Sequence, residues 1–193
     1  MKELNFDVNQ TALVVIDMQN GIVGLPCEPY SATQVLTQVQ RLVDSSRNAG
    51  LFVTLVNVDT KDGKDMLHPV TDAETSPSTA KRPEDWSKIV SELGPAPTDH
   101  CVTKHQWGAF YGTDLDLQLR RRGIDTIILC GIATDIGVET TAREAYQHGY
   151  NQIFVEDAMT ALSKPQHEHP LKYTFPRMGR IRTTEEVLQA LSE

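Results

Sequence analysis

The sequence predicts an α/β fold, a single-domain doubly wound and mostly parallel sheet with helices on both faces. Short β-branched runs alternate along the chain with segments of helical periodicity, which is the pattern of repeated βαβ units. The apolar residues of Thr11–Ile16 are consecutive rather than alternating, as expected for a strand buried on both faces. The length of 193 residues suits one domain over 1–193, since single cores grow to roughly 250 residues before chains split.

The predicted elements follow one another with recognisable boundaries. The first strand ends at Asp17, and the segment 31–49 then places apolar residues at helical spacing before Gly50, a residue typical of helix ends. Further strands are predicted where short β-branched or aliphatic runs recur. These strands are 51–58, 101–103, 126–130, 153–155 and 180–181, and the further helices are 114–122, 134–148 and 185–191.

The segment 59–100 interrupts the alternation of strands and helices. It is polar and holds five of the ten prolines, and structureless loops of this length are often functional. The segment is therefore predicted to be a lid over the active site or an arm that holds another subunit, with a disordered surface insertion as the alternative. Apolar residues at 86–93 predict a short helix that anchors it.

The composition limits the function classes. The net charge of −8 and the lack of a basic run argue against nucleic acid as a partner. The longest aliphatic run, 12–16, is far shorter than the ~20 residues that span a membrane, and no signal peptide is visible. Three cysteines, Cys27, Cys101 and Cys130, are typical of reduced thiols. We therefore expect a cytoplasmic enzyme with a small-molecule substrate.

An aspartate and a lysine follow two of the predicted strands. Asp17 comes directly after the first strand and Lys104 after the third, and ligands of parallel sheets bind at the carboxyl ends of strands. Burial would raise the pKa of Asp17, whereas a nearby lysine would lower it. The pair is thus a candidate general acid or base held by a lysine, and equally a plain ion pair that braces two loops.

Other polar and aromatic residues follow the same strand ends. Gln19 comes two residues after Asp17, and His105 and Trp107 follow Lys104. With Phe110, the latter two could stack on a ring or a conjugated acid in the cleft. The alternative for Trp107 and Phe110 is a place in the core.

A glycine-containing turn at 131–137 joins the fourth strand to the next helix. Such a turn presents backbone N–H groups that can hold a carboxylate or an oxyanion. The turn matches neither GxGxxG nor GxxxxGK[ST], so a nucleotide-binding fold is not supported.

Three stretches together resemble the isochorismatase-like, or cysteine hydrolase, superfamily. They are TALVVIDMQNGI at 11–22, TKHQWGAFYGTDLDLQLRRRGIDTIILCGIATDIGVETTAREA at 103–145 and FVEDAMTAL at 154–162. The resemblance implies a doubly wound hydrolase of small molecules, of the kind that includes nicotinamidases, N-carbamoylsarcosine amidohydrolases and isochorismatases. It also implies a homo-oligomer, a dimer or a higher assembly.

The resemblance assigns roles residue by residue. It makes Asp17 the catalytic aspartate and Lys104 the catalytic lysine, and it implies a cis bond between Ile132 and Ala133. That bond would turn the N–H of Ala133 into the pocket beside the N–H of Gly137. Gly137 also stands where the superfamily has its nucleophilic cysteine, so a thioester route is not expected.

Isochorismatases proper carry glycine at the same position, and they cleave a vinyl ether with an acid instead of a nucleophile. By this resemblance Asp17 protonates the enol carbon, Lys104 orients Asp17 or holds a substrate carboxylate, and Gly137 leaves room for water. Gln106 and Asp135 replace an arginine and a histidine of those enzymes. The expected function is therefore hydrolysis of a small carboxylated molecule. The alternatives are an amidase that uses activated water and an inactive ligand-binding or assembly protein.

No metal and no cofactor are expected. Some amidases of the superfamily bind a metal through Asp-x-His after the second strand, and the matching residues here, at 59–61, lack the histidine. His68 alone does not complete a site. His167 and His169 are interpreted as surface histidines at the entry of a helix.

Overall fold

The computed structural model describes residues 4–72 and 82–192. These residues contain one six-stranded sheet in the order β3-β2-β1-β4-β5-β6, with every neighbouring pair parallel. The strands are β1 (Thr11–Ile16), β2 (Phe52–Val58), β3 (His100–Lys104), β4 (Thr126–Ile132), β5 (Asn151–Thr160) and β6 (Arg180–Arg182). The predicted doubly wound α/β fold is confirmed.

The helices pack on both faces of the sheet. They are α1 (Asn20–Val23), α2 (Ala32–Ala49), α3 (Leu115–Arg121), α4 (Glu139–Gln147), α5 (Lys164–His169) and α6 (Thr184–Leu191). Short 3-10 turns lie at Val8–Gln10, Ser91–Leu93 and Phe175–Arg177, and π-helical turns at Thr134–Val138 and Pro170–Thr174.

The core has two layers that are separated by the sheet. Alternate side chains of β1 point to opposite faces, so Leu13 and Val15 pack with α2 and α6, whereas Ala12, Val14 and Ile16 pack with α3 and α4. All six residues of β1 are buried. This two-sided burial explains why the apolar residues of the strand are consecutive rather than alternating.

Helix α2 begins and ends where the sequence predicts. The Ser31 hydroxyl accepts from the Gln34 N–H and the Gln34 side chain accepts from the Ser31 N–H, which together form a capping box. The helix ends at Gly50, whose φ of 80° lies in the left-handed region that favours glycine.

The helix predicted over 134–148 is divided in the structure. Its first turn is π-helical, because the Val138 N–H donates to the Ala133 carbonyl, at 3.1 Å, five residues earlier.

Strand β5 is longer than the predicted 153–155, and the pairing of β4 with β5 shifts register between Leu129 and Gly131. The shift lets β5 continue beyond Glu156 and Asp157.

The two described ends of the segment 59–100 are attached to the sheet. Asp59 donates its N–H to the Lys104 carbonyl at 3.1 Å, and the Asn57 amide donates to the Ser87 carbonyl at 3.0 Å. The short helix predicted at 86–93 is confined to the 3-10 turn at Ser91–Leu93, because Ile89 pairs as an isolated β-bridge with Gln19. Residues 73–81 of the segment lie outside the described residues. The roles of lid and subunit contact stay predictions.

No helix of the described ranges combines the length and the apolar character that crossing a membrane requires.

Candidate active site

A cavity of about 230 Å³ opens at the carboxyl ends of the central strands. Asp17 follows β1, Lys104 is the last residue of β3, and Ala133 follows β4, and all three line the cavity. The strand order reverses between β1 and β4. The cavity therefore lies at the topological switch point, where open parallel sheets bind their ligands.

Asp17 and Lys104 form a buried ion pair at the base of this cavity. The Lys104 Nζ lies 2.9 Å from the Asp17 Oδ2, and the two residues are 1% and 7% exposed. Strand β2 lies between β3 and β1, so the two backbones are about 10 Å apart and only a long side chain can bridge them. Lys104 also donates to the Trp107 carbonyl at 2.5 Å, which fixes the ammonium in place.

The Asp17 carboxyl is positioned to gain and lose a proton near neutral pH. Burial raises its pKa to about 6, against the opposing charge and hydrogen bond of Lys104. Its second oxygen, Oδ1, is buried and has no hydrogen-bond partner in the described residues. The backbone of Asp17 has a φ of 53°, so the carboxyl is held in a conformation that few residues other than glycine adopt. This arrangement suits an acid or a base more than a simple structural brace.

Gly137 faces the ion pair directly. A Cβ at this position would lie 3.0 Å from the Asp17 Oδ2 and 3.2 Å from the Lys104 Nζ. It would also lie 2.9 Å from the Ile16 Cγ2, closer than real Cβ contacts. A side chain at this position would therefore crowd the ion pair and Ile16, and the lack of a side chain at Gly137 lets the turn approach the carboxyl this closely.

The cis bond between Ile132 and Ala133 is present, and both residues line the cavity. The turn that follows is held from behind by a hydrogen bond of 2.8 Å between the Thr134 Oγ1 and the His167 Nδ1. His167 is 3% exposed, and burial lowers its pKa. The interpretation of His167 as a surface histidine is therefore wrong, because the lower side of the turn offers its imidazole a polar partner in the interior.

The walls of the cavity are mainly apolar. Trp107 lies at the rim and is 63% exposed, so it is not a core residue. The other apolar wall residues come from five separate segments and carry no common motif, so the sequence alone does not predict them. They are Ile22, Leu25, Val58, Met66, Ile136 and Leu162.

Three predicted binding residues do not line the cavity. The Gln19 side chain is buried, with its Nε2 donating to the carbonyls of Val58 and Trp86 and its Oε1 accepting from the Val58 N–H. The half-buried His105 places its Nδ1 2.8 Å from the Asp59 carbonyl.

Phe110, the third of these residues, is a core residue. Its ring packs in the buried layer against Tyr150, at 5.6 Å between centroids, and His148, at 5.2 Å. The predicted contact of Gln19, His105 and Phe110 with a substrate has no counterpart in the lining, because their side chains are engaged elsewhere.

The cysteines lie away from the cavity lining. Cys130 is buried in β4, where burial raises the pKa of its thiol. Cys101 is exposed on β3, and Cys27 is partly buried against the core layer that also contains Cys130. Among the residues that the structure describes, no group of three or more His, Cys, Asp or Glu side chains is arranged to hold a metal ion.

The structure is that of a doubly wound α/β protein with a carboxylate–lysine pair in a cavity at the switch point of its sheet. Comparison with known proteins agrees, since residues 11–186 match the isochorismatase domain family. The chain is 53% identical to the uncharacterized isochorismatase family protein YwoC of Bacillus subtilis (strain 168), over 98% of both chains. The chain therefore belongs to the isochorismatase family.

Solved structures extend this relationship. An isochorismatase family protein from Burkholderia thailandensis superposes with a TM-score of 0.91 at 44% identity, over 98% of each chain. A cysteine hydrolase from Pseudomonas syringae pv. phaseolicola 1448A superposes with a TM-score of 0.81 at 26% identity, over 98% of this chain and 96% of that one. The family is thus part of a hydrolase superfamily.

Proposed function

We propose that this protein hydrolyses a vinyl ether bond in a small molecule, with Asp17 as the general acid and Lys104 as its positioning partner. The observation that carries the proposal is that the cavity gives a substrate access to the Asp17 carboxyl. Its carboxyl, with a pKa of about 6, lies at the base of an apolar cavity, and no side chain stands at Gly137 to separate it from a substrate. An acid of this strength retains part of its protons at neutral pH.

The reaction needs one proton transfer to carbon and one water. Asp17 delivers its proton to the terminal enol carbon, which leaves an oxocarbenium ion at the carbon that bears oxygen. Water adds to that carbon and loses a proton, and the resulting hemiketal breaks its C–O bond to give a carbonyl compound and an alcohol. The Lys104 ammonium, 2.9 Å from the Asp17 Oδ2, stabilises the carboxylate that forms in the first step.

The position of the cysteines supports acid chemistry over a thioester route. None of Cys27, Cys101 and Cys130 lines the cavity, and Gly137 supplies no nucleophile beside the pair. A mechanism through Asp17 needs no thiol.

Two vinyl ethers test the proposal. Isochorismate would release pyruvate, followed with lactate dehydrogenase, and phenyl vinyl ether would release phenol and acetaldehyde. We expect wild-type protein to turn over at least one of them. The Asp17→Asn variant should have a turnover rate at least about a hundredfold lower. In D₂O the new methyl group should carry one deuterium, because the proton goes to carbon. Asp44→Asn, which changes an exposed carboxylate of α2, is the matched control. Turnover by folded Asp17→Asn at the wild-type rate would contradict the proposal.

Hydrolysis of an amide by activated water is a second candidate. Asp17 and Lys104 both line the cavity, and no side chain at Gly137 covers them, so a water in the cavity could reach the Asp17 carboxyl and lose a proton to it. Asp17 would then act as a base, and turnover would rise with pH through about 6 instead of falling. The direction of the pH profile distinguishes the two reactions. Lack of turnover of any ether or amide would favour the ligand-binding alternative.

A further inference from the structure

The lining of the candidate active site is electrically neutral. Among the described residues that line it, Asp17 and Lys104 are the charged ones, and they neutralise each other at 2.9 Å. While Asp17 is ionised, an anionic ligand would therefore meet no unpaired cation in the described lining. Burying such a charge without a partner is strongly unfavourable.

The side-chain donors of the cavity are also largely occupied. Lys104 donates to the Asp17 Oδ2 and to the Trp107 carbonyl, which leaves one N–H of its ammonium for a ligand. The Gln106 Nε2 donates to the carbonyls of Gly108, at 3.0 Å, and Tyr111, at 2.7 Å. A carboxylate binds best to several donors or to a bidentate arginine, and these side chains do not offer that arrangement.

The remaining surface favours an apolar ligand. Leu25 and Leu162 are 40% and 48% exposed, and Trp107 presents an even larger part of its indole. Ile136 and Met66 complete the wall. Large apolar side chains that are exposed together around a concave site are typical of a surface that a ligand covers.

We infer that the ligand of this cavity is an uncharged, mainly apolar small molecule with a planar group that stacks on Trp107. This inference deepens the proposed function and rests on it for the identity of the active site. It differs from the carboxylated substrate that the resemblance to isochorismatases implies.

A pair of probes with the same shape and different charge tests the inference. Acetophenone and benzoate differ by a methyl group in place of a carboxylate oxygen, and neither is hydrolysed. Their affinities are measured by calorimetry at pH 8, where Asp17 is ionised. We expect acetophenone to bind at least about tenfold more tightly than benzoate, because the neutral probe avoids burial of an unpaired charge.

A variant at the rim supplies the matched control. Leu162→Arg adds a cation beside the cavity at a partly exposed position, and it should shift the preference toward benzoate by at least about tenfold. Leu162→Gln removes the same leucine without adding charge and should keep the wild-type preference. Equal or tighter binding of benzoate by wild-type protein, or no binding of acetophenone, would overturn the inference.

The outcome is separable from that of the proposed reaction. A preference for acetophenone without turnover of either vinyl ether would support the ligand class and reject the reaction. Turnover of isochorismate together with tight binding of benzoate would support the reaction and overturn the ligand class.

Discussion

Replacement of Lys104 by methionine isolates the energetic role of the ion pair. Lys104 is 1% exposed, and methionine is unbranched and close to it in length, so the packing is largely retained. The change removes the cation that lowers the pKa of Asp17, and we expect that pKa to rise above its present value of about 6. The carboxyl then binds its proton more tightly in the folded than in the unfolded chain. The stability of the variant should therefore decrease as pH rises through the folded pKa.

The magnitude follows from the state of Asp17. At pH 8 the variant either holds a buried carboxylate without its cation or takes up a proton against the solution, and the loss of one partner of a buried pair costs about 3–5 kcal/mol. At pH 5 the carboxyl is largely protonated already, so the main loss is that of the charged hydrogen bond from Lys104 to the Trp107 carbonyl, about 1.5–3 kcal/mol. Urea unfolding at both pH values measures the difference.

Lys88→Met is the matched control for this experiment. Lys88 is exposed, and the same substitution there should change the free energy of unfolding by less than about 0.5 kcal/mol at either pH. If Lys104→Met lowers the free energy of unfolding equally at pH 5 and pH 8, the reasoning is refuted. Such a result would show that the charge of Asp17 does not depend on Lys104 over this pH range.

Three further predictions concern the acid and the turn beside it. Gly137→Ala would place a methyl carbon 3.0 Å from the Asp17 Oδ2, so vinyl ether turnover should fall at least about a hundredfold. Gly24→Ala, at an open position, is the control and should retain the wild-type rate. A Gly137→Ala rate comparable to that of wild type would count against a substrate at this position. The kcat/KM for a vinyl ether should fall about tenfold for each pH unit above about 6, as the acid form of Asp17 is lost, and a rising profile would assign Asp17 as a base. Thr134→Val should lower the free energy of unfolding by about 1–3 kcal/mol, since it leaves the buried His167 Nδ1 without its partner, and an unchanged urea midpoint would show that this hydrogen bond contributes little.

Local patterns in the sequence predict much of the framework. Strand β1 and helix α2 are visible because each carries its own burial pattern, and Gly50 marks a helix end through its own conformational preference. The meeting of Asp17 and Lys104 is also predictable, because the carboxyl ends of parallel strands converge at one edge of the sheet.

Features that depend on contacts between distant segments were not predictable in this way. The residues 86–93 have helical spacing, but the bridge of Ile89 to Gln19 restricts the helical part to the 3-10 turn at Ser91–Leu93. Phe110 follows a strand end, as a ligand-binding residue would, yet its ring turns into the core. The π-helical turn at Thr134–Val138 differs from an α-helix by one residue in its hydrogen bonding, and no residue type in it encodes that choice.

The strand order has a consequence for dividing the molecule. One half of the sheet, β3-β2-β1, carries Asp17 and Lys104, and the other half, β4-β5-β6, carries the turn that ends at Gly137. A chain cut between Lys104 and β4 would thus yield two fragments, each with an incomplete site. To place the ion pair opposite the glycine again, the two fragments would have to pair through the edges of β1 and β4. Such fragments could report on the association of two other proteins to which they are fused.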